Sequence, residues 1–124
     1  MRSLDHEKLH VYAKALDFLA HADALIAAMP SGHSHLADQL YRAASSICLE
    51  VAEGAGEFSI PEKARFYRMA RRSATECAAI LDVSARLRLS SAEQRATGRA
   101  LLIEVVAMLT TMARRRTGTP RATE

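Results

Sequence analysis

The stretch that decides the fold is Asp38-Gln39-Leu40-Tyr41-Arg42-Ala43-Ala44-Ser45-Ser46-Ile47, followed by Val51-Ala52-Glu53-Gly54 and then by Arg65-Phe66-Tyr67-Arg68-Met69-Ala70-Arg71-Arg72-Ser73 with Glu76. Leu36, Leu40, Ala44, Ile47 and Val51 recur at steps of three or four, the spacing that puts residues on one face of an α-helix. Beside them runs a second stripe at the same spacing: Arg42, Ser46, Glu50 and Glu53. Arg65, Arg68, Arg72 and Glu76 make a similar stripe beside Phe66, Ala70 and Cys77. One apolar stripe is enough to bury a helix in its own bundle. An ordered polar stripe at its edge asks for something to bind, on a neighbouring helix or on another subunit.

The same helical beat extends outward in both directions. Tyr12, Ala15, Leu16, Leu19, Ala22, Ile26 and Met29 mark a first helix from about Asp5 to Met29, ended by Pro30-Ser31-Gly32. The second is expected from about Ser34 to Glu53. Gly54 would close it in the left-handed conformation that glycine adopts cheaply. After a loop from Ala55 to Ile60, Ser59 and Glu62 stand at capping-box spacing around Pro61 and open a third helix that runs to about Leu87. Its apolar face is read as Phe66, Ala70, Ser73, Cys77, Leu81 and Ser84. Ser90 or Ser91 caps a fourth, which carries Leu102, Val105, Val106, Leu109 and Met112. Gly98 inside that helix costs about 1 kcal/mol relative to alanine. No apolar beat continues after Arg116, so the domain is expected to span 1–116, with 117–124 a frayed tail.

The composition agrees. Apolar residues are 49% of 124, enough for one sizeable core. Aromatics are 5% and Trp is absent, while alanine is abundant, which favours closely packed helices over a sheet. The expected fold is therefore all-α, an antiparallel up-down-up-down four-helix bundle. The alternative is a pair of helical hairpins whose core is completed only in an oligomer. Asp5, Glu7 and Lys8 interrupt the N-terminus, which therefore reads as neither a signal peptide nor a membrane span, and a cytoplasmic protein is expected. Cys48 and Cys77 lack metal-like spacing and read as small packed hydrophobes.

The motif order is similar to that of the small four-helix-bundle proteins encoded by open reading frames in 23S rRNA intervening sequences. Asp38, Gln39, Arg42, Ala43, Ser46 and Ile47 fit the family's first block. Ala52, Glu53 and Gly54 fit its second, and Arg65, Phe66, Ala70, Ser73 and Glu76 its third. Two positions depart from the pattern: Glu50 stands where Asn is usual, and Arg72 where Gly is usual. The resemblance implies a bundle that assembles as a ring-like homo-oligomer, a pentamer in the family. Relatives in that family include accessory proteins that bind a reverse transcriptase and RNA.

Charge points the same way. The segment from Pro61 to Leu89 carries a balance of +4, that from Ser31 to Ile60 of −3, in a chain of net +3. Arg65, Arg68, Arg71 and Arg72, with Arg114, Arg115 and Arg116 near the C-terminus, are the candidate nucleic-acid contacts, because the guanidinium fork suits phosphate. Phe66 reads as core, leaving Tyr41 and Tyr67 as the aromatics near these arginines. Arg42, Ser46, Glu50, Glu53, Gly54, Ser73 and Glu76 read as structural or interface residues. In that stripe Glu50 or Glu53 is expected to pair with an arginine of the third helix or of another subunit.

Catalytic signals are weak. His6-Glu7-Lys8-Leu9-His10 spells H-E-x-x-H, a zinc motif when it lies on a helix, but a third ligand does not follow and the first turn is expected to fray. His33 and His35 flank a turn, and Ser45, Ser46 and Ser73 have no histidine at a motif-like distance. Gly54-Ala55-Gly56 lacks the preceding strand that a phosphate loop needs. The expectation is a non-enzymatic oligomeric adaptor without cofactor, metal or membrane anchor, binding RNA or DNA or a nucleic-acid-processing protein. The alternative is a structural protein-binding scaffold with no nucleic-acid role.

Overall fold

The structure, a computed structural model, describes residues 2–115, so Arg116 and the proposed tail lie outside the described residues. A 3-10 turn at Asp5–Lys8 leads into α1 (His10–Ala28), α2 (Ser34–Gly56), α3 (Ile60–Arg86) and α4 (Ala92–Ala113). No strand occurs among the described residues. Each helix packs on two others: α1 on α2 and α4, and α3 on α2 and α4. The diagonal pairs do not touch. This is the square, antiparallel four-helix bundle that short loops dictate.

The starts and stops follow local chemistry. Ser59 accepts the Glu62 amide at 3.2 Å, with Pro61 in the first turn where its missing N–H costs nothing. Ser91 and Gln94 form a complete capping box, at 3.0 and 2.8 Å, so of the two serines Ser91 is the cap. Gly32 takes a positive φ of 98° in the turn after α1.

Four expectations need correction. The N-terminal helix does not start at Asp5: Leu9 is extended (φ −89°, ψ 128°) and separates the 3-10 turn from α1. The buried face of α1 is Val11, Ala15, Phe18, Ala22 and Leu25; Leu16 faces outward and Tyr12, Leu19 and Ile26 are only half-buried. The second helix does not end at Gly54 but runs on to Gly56, and Gly54 is not left-handed. The left-handed residue that closes a helix is instead Arg88, at φ 60°. There the Leu89 amide donates to the Ser84 carbonyl at 2.8 Å, the six-to-one bond of a Schellman turn. On α3 the inward aromatic is Tyr67, 3% exposed, whereas Phe66 is half-buried.

Alanines and glycines set the helix spacing. Ala43 and Ala44 of α2 and Ala70 and Ala74 of α3 are buried, and Gly54 presents its bare Cα to Tyr67. Gly98 of α4 does the same against Leu81 and His21, where a Cβ would come within 2.8 Å of Leu81 Cδ1. The cost of a helical glycine is thereby tied to a close approach.

The core faces of α4 are Leu102, Val105, Leu109 and Met112. The outward face of α4 mixes the exposed Ile103 and Ala107 with Glu93, Arg99, Glu104 and Thr111. By length and composition alone it is apolar enough to cross a membrane, yet Leu102, Val105, Leu109 and Met112 are core residues and Leu101, Val106, Met108 and Ala113 pack against that core, as in the other helices of the bundle.

Candidate nucleic-acid interface

The polar stripe lies where α2 meets α3. Glu50 of α2, half-buried, accepts a hydrogen bond from the Ser73 hydroxyl of α3 at 2.8 Å. Burial raises the Glu50 carboxyl above its ordinary value and the nearby Glu53 charge adds to this. The Ser73 bond and the Arg72 charge act in the opposite direction. The expected Glu–Arg pairing across the helices is therefore replaced: among the described residues neither Glu50 nor Glu53 forms an ion pair, and a neutral hydroxyl does the bonding. The two departures from the family pattern, Glu50 and Arg72, do sit close enough to feel each other's charge. The family's Ser73 has a role here as the hydroxyl that satisfies a half-buried carboxylate. Arg42, Glu53 and Glu76 are exposed, and Ser46 is half-buried.

The arginines divide into two groups. Arg65 is engaged inside its own helix. Its guanidinium makes a two-pronged pair with Glu62, at 2.9 and 3.2 Å, and lies 4.5 Å from the centre of the Phe66 ring. That pairing holds Glu62 below the usual carboxylate range. Arg71 donates to Thr110 Oγ1 of α4 at 2.8 Å, so it spans the α3/α4 seam. Arg68 and Arg72 are exposed, one helical turn apart, and make no hydrogen bond or ion pair among the described residues. Arg114 is exposed at the end of α4, one turn beyond Thr110, which brings it to the same end of the bundle as Arg68 and Arg71. Arg115 is half-buried. The basic surface thus centres on Arg68, Arg71, Arg72 and Arg114, rather than on the whole series from Arg65 to Arg72.

Neither aromatic expected near the arginines offers an open stacking platform among them. Tyr67 is buried with its hydroxyl unbonded to any described residue; burial, with Asp5 adding to it, pushes that hydroxyl up to about 12. Tyr41 is exposed, but beside α1. The aromatic on the arginine side is Phe66, already covered by Arg65.

Sequence reading missed Lys63. Its ammonium donates to the carbonyls of Ala55, at 2.9 Å, and Gly54, at 3.4 Å, at the C-terminal end of α2. A cation there satisfies orphan carbonyls and opposes the negative end of the helix dipole. The signal available was a lysine in the first turn of α3, but which carbonyls it reaches depends on the path of the α2–α3 turn.

The H-E-x-x-H segment does not form a helical ligand pair, because extended Leu9 separates His6 from His10. His6 instead packs edge-on against Tyr12, ring centres 4.6 Å apart. Among the described residues no group of three or more His, Cys, Asp or Glu is placed to hold a metal ion. Cys48 and Cys77 are free and buried, and burial pushes their thiols up to about 11 and about 12, far from a reactive thiolate.

Set beside known families, residues 7–111 match the model of the 23S rRNA-intervening sequence proteins, and the chain belongs to that family. No curated protein matches it.

Proposed function

We propose that this member of the 23S rRNA-intervening sequence family is a non-enzymatic, cytoplasmic oligomeric adaptor. It would bind RNA or DNA, alone or with a nucleic-acid-processing protein, through the arginine surface of α3 and α4. The observation that carries the reading is the pair Arg68 and Arg72, exposed one turn apart and without a hydrogen bond or ion pair among the described residues, with Arg71 and Arg114 beside them. Guanidinium groups with free donors suit phosphate oxygens, and repetition of the surface around an oligomer would add weak contacts into useful affinity.

The test is fluorescence anisotropy with labelled single-stranded RNA and duplex DNA across a salt series. Arg68→Glu with Arg72→Glu should weaken binding at least tenfold and flatten the salt dependence by roughly two phosphate contacts. Unaltered affinity in a folded double variant would remove these residues from the site.

A second reading is a protein-binding scaffold with no nucleic-acid role. It is favoured by the engagement of Arg65 with Glu62 and Phe66 and by the complete exposure of Phe58 in the α2–α3 turn. In that case no nucleic acid copurifies, and the captured partner resists high salt.

A further inference from the structure

The α3–α4 turn carries a basic cluster that the function proposed above does not use. Arg86, at the end of α3, and Arg88, in the turn, are exposed and form no hydrogen bond or ion pair among the described residues. With Arg95 of α4, Asp82 and Ala85 they line an open depression of about 640 Å³. Three guanidinium groups are thus set against one carboxylate, and that carboxylate is already engaged. Asp82 Oδ1 accepts from both Nε and Nη2 of Arg95, at 2.9 and 2.6 Å. The pair fixes the Arg95 fork against α3. Glu93, in the first turn of α4, does not line the depression.

Arg88 is also the one non-glycine residue in the left-handed region among the described residues, at φ 60°. Glycine is the usual occupant where a helix closes in this way. A long cation held there against its backbone preference points to work done by its side chain.

The cluster is in line with the arginines at the other end of the helix. Arg68 and Arg86 are eighteen residues apart on the unbroken α3, about five turns, so both leave the same side of it. Their separation along the helix is about 27 Å. Between them that side carries Thr75 and Ala79, both exposed and uncharged. Glu76 lies about 80° round, towards the α2 side where Ser73 meets Glu50.

We infer that Arg86, Arg88 and Arg95 form a second phosphate-binding cluster, and that one nucleic-acid duplex lies along α3 and contacts it together with Arg68 and Arg72. The span equals about eight base pairs of duplex. A duplex is stiff over that length, so it holds both contacts at a fixed spacing. The second contact becomes intramolecular, and two weak clusters add into one useful affinity. Backbone phosphates are the groups bound, so the contact positions the duplex without reading its bases. The inference rests on the nucleic-acid reading above and extends it to the far end of the bundle.

The test is the dependence of binding on duplex length, by fluorescence anisotropy. Arg86→Gln with Arg88→Asn removes two of the three cations, and asparagine tolerates the left-handed backbone. Unchanged helical circular dichroism shows that the variant folds. A duplex of about sixteen base pairs reaches both clusters and should bind the variant at least about tenfold more weakly than the wild type. A hairpin stem of about five base pairs reaches only one cluster, so its affinity should change by no more than about threefold. Arg2→Gln with Lys8→Gln makes the same charge change at exposed positions outside both clusters and should leave the longer duplex bound as before. An equal loss in that control would reduce the effect to net charge and overturn the proposal. Full affinity in the Arg86/Arg88 variant, with binding lost in Arg68→Glu/Arg72→Glu, overturns the second cluster and leaves the first standing. A wild type that binds no duplex of either length overturns both. Tripolyphosphate that raises the melting temperature of the wild type but not of the Arg86/Arg88 variant, with duplex binding equal in the two, would assign the cluster to a small oligophosphate and overturn the shared duplex.

Discussion

The bare Cα of Gly54 lies against the ring of Tyr67, so closely that a Cβ built on it would stand 2.7 Å from Cε1 and 3.0 Å from Phe66 Cβ. The contact draws α2 and α3 together at the end of the bundle where the arginines gather. Tyr67 is 3% exposed and cannot retreat. Gly54→Ala should therefore lose about 1–2 kcal/mol in urea denaturation, the cost of overpacking exceeding the gain in helix propensity. Gly54→Val should lose more, through collision rather than backbone strain. Gly56, two residues on with nothing within 4 Å of its Cβ position, is the control: Gly56→Ala should gain a few tenths of a kcal/mol. Equal stability of the two alanine variants would show that the Tyr67 contact is not tight.

Tyr67 itself carries a buried hydroxyl without a partner among the described residues. Removing such a group relieves its desolvation without breaking a bond. Tyr67→Phe should leave stability unchanged or raise it by up to about 1 kcal/mol. A loss greater than that would reveal a bond the hydroxyl makes in solution.

Lys63 bridges the start of α3 to the end of α2. Lys63→Met keeps the aliphatic stem and deletes the cation, and should cost about 0.5–1.5 kcal/mol in thermal unfolding. Lys63→Arg should recover part of it. A neutral Lys63→Met would mean that water serves those carbonyls equally well.

Arg88 closes α3 in the left-handed region at φ 60°. A non-glycine residue there carries strain of about 1 kcal/mol. Arg88→Gly should raise the unfolding free energy by that much, less the entropy that glycine restores to the unfolded chain, and so raise the denaturation midpoint. A lower midpoint would place the value of Arg88 in its side chain.

Glu50 gives a pH signature. Its carboxyl is raised in the folded state, so the folded protein holds that proton more tightly than the unfolded chain does. The sign follows: this residue's contribution is most favourable below its unfolded value of about 4.5, weakens as pH rises through the folded value, and stays lower above it. Glu50→Gln keeps an acceptor for Ser73 without the charge. The variant should gain stability relative to wild type as pH rises from 4 to 7. A difference that grows towards acid instead would show a stabilising ion pair at Glu50.

Much of this was readable from short-range chemistry. Ser59 with Glu62 and Ser91 with Gln94 mark helix starts because a cap and the amide it satisfies lie within one turn. Leu40, Ile47 and Val51 mark a buried face because the helical period is local. The misreadings came where two periodic readings compete. On α1, Leu16 and Leu19 form as regular a row as Val11, Phe18 and Leu25, and only the docking of α2 and α4 selects between them. Likewise Phe66 and Tyr67 are adjacent, and a rotation of α3 by one position exchanges which is buried.

By itself, then, the sequence determined the four helices, the capped starts of α3 and α4, the antiparallel order and the membership of the family, since periodicity, N-terminal capping and short loops act within a few residues along the chain. Tertiary structure alone decided that Gly54 is a contact surface and not a turn, that Ser73 and not an arginine meets Glu50, and that Arg65 and Arg71 are engaged while Arg68 and Arg72 remain open. Those outcomes depend on helix rotation and separation of an ångström or two, which arise from the summed packing of residues far apart in the chain.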